Sequence, residues 1–269
     1  MLSFLNDLDE DIRKSTIAQI RNLWTHESTA IEGNTLTLGE TAFILEEGLT
    51  VSGKPLKDHQ EVVGHARAID LIYDLVQRAS DITESDLFQL HKAVQTTNIL
   101  DVYNPVGGWK KAPNGTNIVS GDKQIFYEYA TPDDVPALMK NWINLLNAKI
   151  ASTSSRDDAV AAYAELHMSF VWIHPFCDGN GRMARLVANI PILKAGFPPI
   201  LITERKRREY INCLSQYSLE VGSPNSKSSI ISVDDNLVQF RTFCEESWKE
   251  SIDIVDEAHR RQTERNKRN

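Results

Sequence analysis

The densest chemistry in the chain lies between Ile173 and Arg185, in the order Ile-His-Pro-Phe-Cys-Asp-Gly-Asn-Gly-Arg-Met-Ala-Arg. Pro175 disfavours helical backbone at His174, so a preceding helix should end there. Asp178, Gly179, Asn180 and Gly181 are residue types that tolerate positive φ. Such a turn aims successive backbone N–H groups into one concavity, an anion nest. A helix that starts at once adds its own free N–H groups and its dipole. Arg182 and Arg185, one helical turn apart, can point to one side of it. A phosphate chain suits this arrangement. His174 has an ordinary pKa near neutrality and stands at the loop's start, as a general base would. Asp178 is a hard oxygen ligand beside the nest. Mg²⁺ usually takes one or two carboxylates together with phosphate oxygens and water. Base, metal ligand, nest and arginines in one loop fit phosphoryl or nucleotidyl transfer, where the protein supplies mainly position and charge. Each residue alone has a plainer reading: a helix-end histidine, a turn, a solvated basic face. No GxxxxGK[ST] occurs, which excludes a P-loop. The absence of HExxH or a third partner at ligand spacing disfavours zinc.

Helices must position this loop, because helical periodicity dominates the sequence. Asp9 to Trp24 carries Ile12, Ile17, Ile20 and Leu23 between polar residues. Thr37 to Glu40 reads as a capping box opening a helix that stops at Gly48. Asp58 to Arg78 shows a broad apolar stripe. Thr83 to Asp86 starts another short helix. Further helices are expected over Pro132–Lys149, Asp157–Ile173, Arg182–Ala195, Thr203–Tyr217 and Asp234–His259. The segment from Gly107 to Ala130 reads differently. Short β-prone runs flank Gly121 and Asp122, a hairpin signal. The expected organisation is an N-terminal helical region over 1–85, a core over 86–220 with a hairpin at about 109–129 and the loop at 174–185, and a C-terminal helix with a basic tail over 221–269.

Composition narrows the class. Hydrophobic residues make up 41% and charged residues 25%, ordinary values for a globular protein. The net charge of −8 speaks against nucleic-acid or anionic-membrane partners. The basic run from His259 to Asn269 is read as a solvated helix end. Cys177, Cys213 and Cys244 form no CxxC pair, which favours reduced thiols and a cytoplasmic location. The acidic N-terminus does not resemble a signal peptide, and no apolar stretch approaches the ~20 residues of a membrane helix.

His174 to Arg185 matches the pattern H-x-F-x-[DE]-G-N-G-R-x-x-R at every specified position, and on this long motif the chain resembles the Fic family. The likeness runs from the N-terminal helices to the helix after Tyr210. It implies an all-α fold, the Fic helical bundle with one β-hairpin flap. It implies ATP as substrate and Mg²⁺ as cofactor. His174 would take the proton from a Ser, Thr or Tyr hydroxyl of a target protein. That oxygen would attack the α-phosphate, and pyrophosphate would leave. Asp178 would hold Mg²⁺, Gly179, Asn180 and Gly181 would cradle the phosphates, Arg182 would neutralise them, and Arg185 would pair with the γ-phosphate. Val119, Ser120 and Gly121 of the hairpin would dock the target as an added strand. Relatives that transfer the γ-phosphoryl carry lysine at the position of Gly181, so glycine favours AMP transfer. Tyr210 and Ser218 fall in the segment where relatives build the adenosine pocket. Ile211 stands where a second aromatic is common and Ser218 where asparagine is common.

Ser28-Thr29-Ala30-Ile31-Glu32-Gly33 matches the family's inhibitory pattern, [S/T]-x-x-x-E-[G/N], with Ser28 and Glu32 as its fixed points. A carboxylate can occupy a guanidinium through two parallel hydrogen bonds, so Glu32 would take Arg185 away from the γ-phosphate. The expectation is an autoinhibited protein adenylyltransferase, self-modification included. Other readings are a de-AMPylase in which Glu32 positions water, a non-catalytic nucleotide-binding module, and transfer of UMP or phosphocholine. Some relatives self-associate, so a homo-oligomer is open.

Overall fold

A computed structural model describes residues 2–95, 105–121, 123–232 and 235–268. Asp122 of the expected turn, Asp234 at the expected start of the last helix and Asn269 of the tail lie outside the described residues.

The first helix, α1 (Glu10–Ala30), opens with Glu10 and Asp11 at its positive end, where carboxylates are favoured. Its buried face runs Ile12, Thr16, Ile20, Trp24, Ser28, a strict four-residue spacing. The helix continues past the expected end at Trp24. Thr29 bonds back to the Thr25 carbonyl within it. The added turns deliver Ser28 on the buried face. Helix α2 (Leu38–Glu47) has the expected capping box: Glu40 N–H donates to Thr37 Oγ1 at 3.2 Å and Thr37 N–H to Glu40 Oε2 at 2.8 Å. It ends at Gly48 with φ 68°. Helix α3 (Leu56–Gln77) and α4 (Glu84–Val94) follow, the latter with its own Thr83–Asp86 box. An N-cap of this kind contributes about 1 kcal/mol.

Strands β1 (Gly115–Ser120) and β2 (Lys123–Glu128) pair antiparallel, with Ile118 opposite Ile125 and Thr116 opposite Tyr127. Ile118 and Tyr127 turn inward, while Val119 and Phe126 are 72% and 61% exposed. Helices α5 (Val135–Ser152) and α6 (Arg156–Ile173) come next. Nearly every residue of α6 from Ala159 onward is buried, so it is the central rod of the bundle. One core cluster extends from Leu2 to Ala258. Among the described residues no helix is long and apolar enough to cross a membrane.

Two expected helices are broken. The span from Arg182 to Ala195 is α7 (Asn180–Val187) and α8 (Ile190–Lys194). Pro191 has no N–H for a continuing ladder. Asn189 occupies the break: its Nδ2 donates to the Arg185 and Ile200 carbonyls, and its Oδ1 accepts from Ile200 N–H. The last helix is likewise α10 (Asp235–Ser247) and α11 (Lys249–Arg268). Trp248 lies between them, buried, with its indole N–H on the Pro198 carbonyl at 2.8 Å. The expected start at Thr203 is a short 3-10 turn, Glu204–Lys206, before α9 (Arg207–Val221).

Candidate active site

Helix α6 ends as Pro175 requires, yet His174 is left-handed, with φ 56° and ψ 60°, rather than extended. A non-glycine residue pays for that conformation. The loop beyond is closed by Asn180. Its Oδ1 accepts from Phe176 N–H and its Nδ2 donates to the Phe176 carbonyl, both at 2.9 Å. Gly179 has φ 76° and starts α7. Asp178 Oδ1 accepts the Gly179 N–H at 2.7 Å. Burial pushes the Asp178 carboxyl up, but Gly179 N–H, Arg182 and Gln95 pull it further down, so it is held below its ordinary value. Its side chain is 68% exposed, available to a ligand.

His174 Nδ1 lies 3.2 Å from the Val171 carbonyl. A carbonyl only accepts, so Nδ1 carries the proton and Nε2 keeps its lone pair. The imidazole stacks on Tyr129 with centroids 3.7 Å apart and planes at 9°. Burial, with the charge of Lys110 adding to it, pulls its pKa down to about 3. His174 is therefore a neutral imidazole with Nε2 free to accept a proton.

Arg185 is 2% exposed and held from three sides. Nε donates to Ser28 Oγ at 3.0 Å, and Nη2 to the Ser28 carbonyl at 2.8 Å and Glu32 Oε1 at 2.7 Å. Nη1 donates to Tyr210 Oη at 3.2 Å, and that hydroxyl donates in turn to His167 Nε2. The Glu32 carboxylate rests against Gly181: a Cβ there would stand 2.6 Å from Glu32 Oε1 and 3.1 Å from Arg185 Nη1. Arg182 is buried but loosely held, at 3.4 Å from the Val94 carbonyl and Gln95 Oε1. Its Nε has no partner among the described residues. A buried guanidinium with an orphan donor is prepared for an anion.

The structure thus brings together His174, Asp178, Gly179, Asn180, Gly181, Arg182, Arg185, Ser28, Glu32 and Tyr210. Tyr210 faces Arg185 and is 1% exposed. Ser218 lies elsewhere, buried, with its hydroxyl against Tyr127 under the hairpin. A groove of 750 Å³ between the hairpin and α9 is lined by Asn117, Ile118, Val119, Ile211, Asn212 and Ser215 among others. Ser120 and Gly121 end β1 and begin its turn. Sequence reasoning missed His91, whose Nδ1 accepts from Gly107 N–H at 2.9 Å. Its Nε2–H therefore donates to the Asp178 carbonyl at 3.1 Å, and its ring stacks on Phe176. It also missed Glu61, which accepts from Asn34 just beyond Glu32 and faces Arg182 at 3.8 Å. A buried-face position on α4 and α3 was the only signal either residue offered.

Among the described residues this is a helical bundle with one hairpin beside a glycine-rich loop, and known proteins share it. Residues 81–192 match the family model described as Fic/DOC family. Protein adenylyltransferase Fic of Drosophila melanogaster is 34% identical over 194 residues, covering 70% of this chain and 36% of that protein. Protein adenylyltransferase fic-1 of Caenorhabditis elegans is 33% identical over 190 residues, covering 70% and 35%. A Fic domain containing signaling protein from Bacteroides thetaiotaomicron superposes with a TM-score of 0.79 at 27% identity, over 94% of this chain and 92% of that one. Residues 81–192 of the chain are a domain of the Fic/DOC family. The chain spans about a third of the length of the curated relatives it matches.

Proposed function

We propose that this chain is a protein adenylyltransferase, transferring AMP from ATP to a hydroxyl of a protein, and that Glu32 restrains it. The observation that carries this reading is Arg185 occupied by Glu32 at 2.7 Å, one helical turn from an Arg182 whose Nε has no partner among the described residues. Two buried guanidiniums on one loop suit a polyphosphate, and one of them already holds a carboxylate in its place.

The residues divide the work. Backbone N–H groups at the start of α7 and Arg182 hold the phosphates. Arg185, once released, holds the terminal phosphate and so sets the α-phosphate in line for attack. His174 Nε2 accepts the proton of the attacking hydroxyl. The new bond joins that oxygen to the α-phosphorus, and pyrophosphate leaves with the electron pair of the broken bridge. Among the described residues no three acidic, His or Cys groups form a metal cage. One exposed carboxylate, Asp178, beside phosphate oxygens still fits Mg²⁺, which would neutralise charge on the phosphates. The hairpin edge offers a strand for the target segment.

The test is label transfer from ATP marked at the α-phosphate, with Mg²⁺, into the chain itself and into proteins of a lysate. Label should appear with Glu32→Gly, and disappear when His174→Ala is added. Absence of label from every variant would overturn the reading. Release of AMP from a pre-labelled protein, lost in Glu32→Gly, would point to the hydrolytic direction instead.

A further inference from the structure

We propose that Lys110, Asn114 and Tyr129, at the base of the hairpin, are positioning residues that fix the orientation of the His174 imidazole. The proposal rests on His174 being the base of the reaction above.

His174 needs support from outside its own helix, because its backbone is in a disfavoured region. The two residues that follow it are fastened to the segment entering the hairpin. Lys110 N–H donates to the Pro175 carbonyl at 2.9 Å, and Asn114 Nδ2 to the Phe176 carbonyl at 3.0 Å. Asn114 reaches further. Its backbone carbonyl accepts from Tyr129 N–H at 3.2 Å, and its Oδ1 accepts from Lys110 Nζ. One asparagine therefore joins the loop, the buried lysine and the residue just after β2. Tyr129 completes the connection by stacking on His174 at 3.7 Å.

A parallel stack restricts rotation of the imidazole out of plane. The Val171 carbonyl then selects which nitrogen carries the proton. Together they leave one position for the Nε2 lone pair. Lys110 strengthens the arrangement. It is 2% exposed, forms no ion pair among the described residues, and lies 6.0 Å from the centroid of the Tyr129 ring. Burial lowers its own pKa to about 8. Its Nζ bond to Asn114 Oδ1 ties the lysine to the residue that holds the Phe176 carbonyl. Tyr129 and His174 are only half-buried, so this stack is at the rim of the site and not in the core.

The experiment compares Tyr129→Phe, Tyr129→Leu and Lys110→Met, each with Glu32→Gly, by label-transfer kinetics. Phe should restore the parent rate, because the ring remains. Leu should lower kcat by about 10- to 100-fold with KM for ATP unchanged, since misplacing a reacting group by an ångström costs that much. Lys110→Met should lower kcat less, again at constant KM. The same substitutions in the chain that keeps Glu32 are read by NMR of the His174 imidazole. The parent and Tyr129→Phe should show the Nδ1–H tautomer and upfield-shifted ring protons, and Tyr129→Leu should lose the upfield shift. Unmoved His174 resonances and an unmoved kcat in Tyr129→Leu would overturn the proposal. So would a loss carried by KM alone. Should Tyr129→Leu not fold, Lys110→Met decides by the same two readouts. If Glu32→Gly transfers no label at all, the adenylyltransferase reading falls, and the NMR comparison still decides what Tyr129 does.

Discussion

The two ends of the glycine-rich segment from His174 to Arg185 are held by different kinds of contact. At the His174 end the partners are a parallel aromatic ring, a carbonyl of the same helix, the Lys110 backbone N–H and the Asn114 side-chain amide. At the Arg185 end they are Ser28 and Glu32 from α1, with Tyr210 behind. The first set joins α6 to the hairpin and includes no carboxylate to exchange for an anionic ligand. The second includes a carboxylate whose side chain is 40% exposed, against 2% for the arginine it holds. Glu32 holds the guanidinium through one bond, Oε1 to Nη2, and not the expected two, so an entering anion has a single contact to take over. Under the proposed function, a fixed base and an exchangeable arginine would make a site whose chemistry is permanent and whose substrate pose is regulated.

The largest effect should come from the fixed end. His174→Ala in the Glu32→Gly background should lower label transfer by on the order of 10²- to 10⁴-fold, with ATP affinity by calorimetry retained. Loss of ATP affinity instead would make His174 part of the nucleotide cradle. At the exchangeable end, Glu32→Gly should raise label transfer by roughly 5- to 150-fold, the range of ordinary coupling free energies. An equal rate in the two proteins would leave Glu32 as a structural ion pair.

Gly181 sharpens the contrast. A methyl there would overlap Glu32 Oε1 at 2.6 Å. Gly181→Ala should push the flexible end of Glu32 aside at a cost of at most about 1 kcal/mol while Glu32 is present, and less in Glu32→Gly. Additive penalties in that double-mutant cycle would show that Glu32 does not rest on the loop in solution. A smaller effect concerns acid. Burial raises the Glu32 carboxyl, but Arg185, through its charge and its hydrogen bond, lowers it more, so it lies below its ordinary 4.5. With the folded value the lower one, the pair contributes above pH 4.5 and is lost as pH falls through the folded value. Glu32→Gln should therefore lose melting temperature less steeply than the parent below pH 4.5. Parallel curves would remove Glu32 from the acid response.

Much of this was legible in the chain itself. Capping boxes at Thr37 and Thr83, the stop at Gly48 and the helix end at His174 follow from contacts within a few residues, which any sequence exposes. The loop was legible for the same reason, since its glycines, Asn180 and the arginines act within one turn of α7. Breaks at Pro191 and Trp248 were harder. Asn189 answers to Ile200, and Trp248 to the Pro198 carbonyl, both brought by folding. The tertiary structure alone decided that Tyr129 faces His174, that Lys110 is buried beside it, that His91 holds the Asp178 carbonyl and that Glu32 lies on Gly181. Local backbone chemistry is written in neighbouring residues and survives reading in one dimension. Orientation and electrostatics depend on which distant side chains share a few ångströms, and only packing sets that.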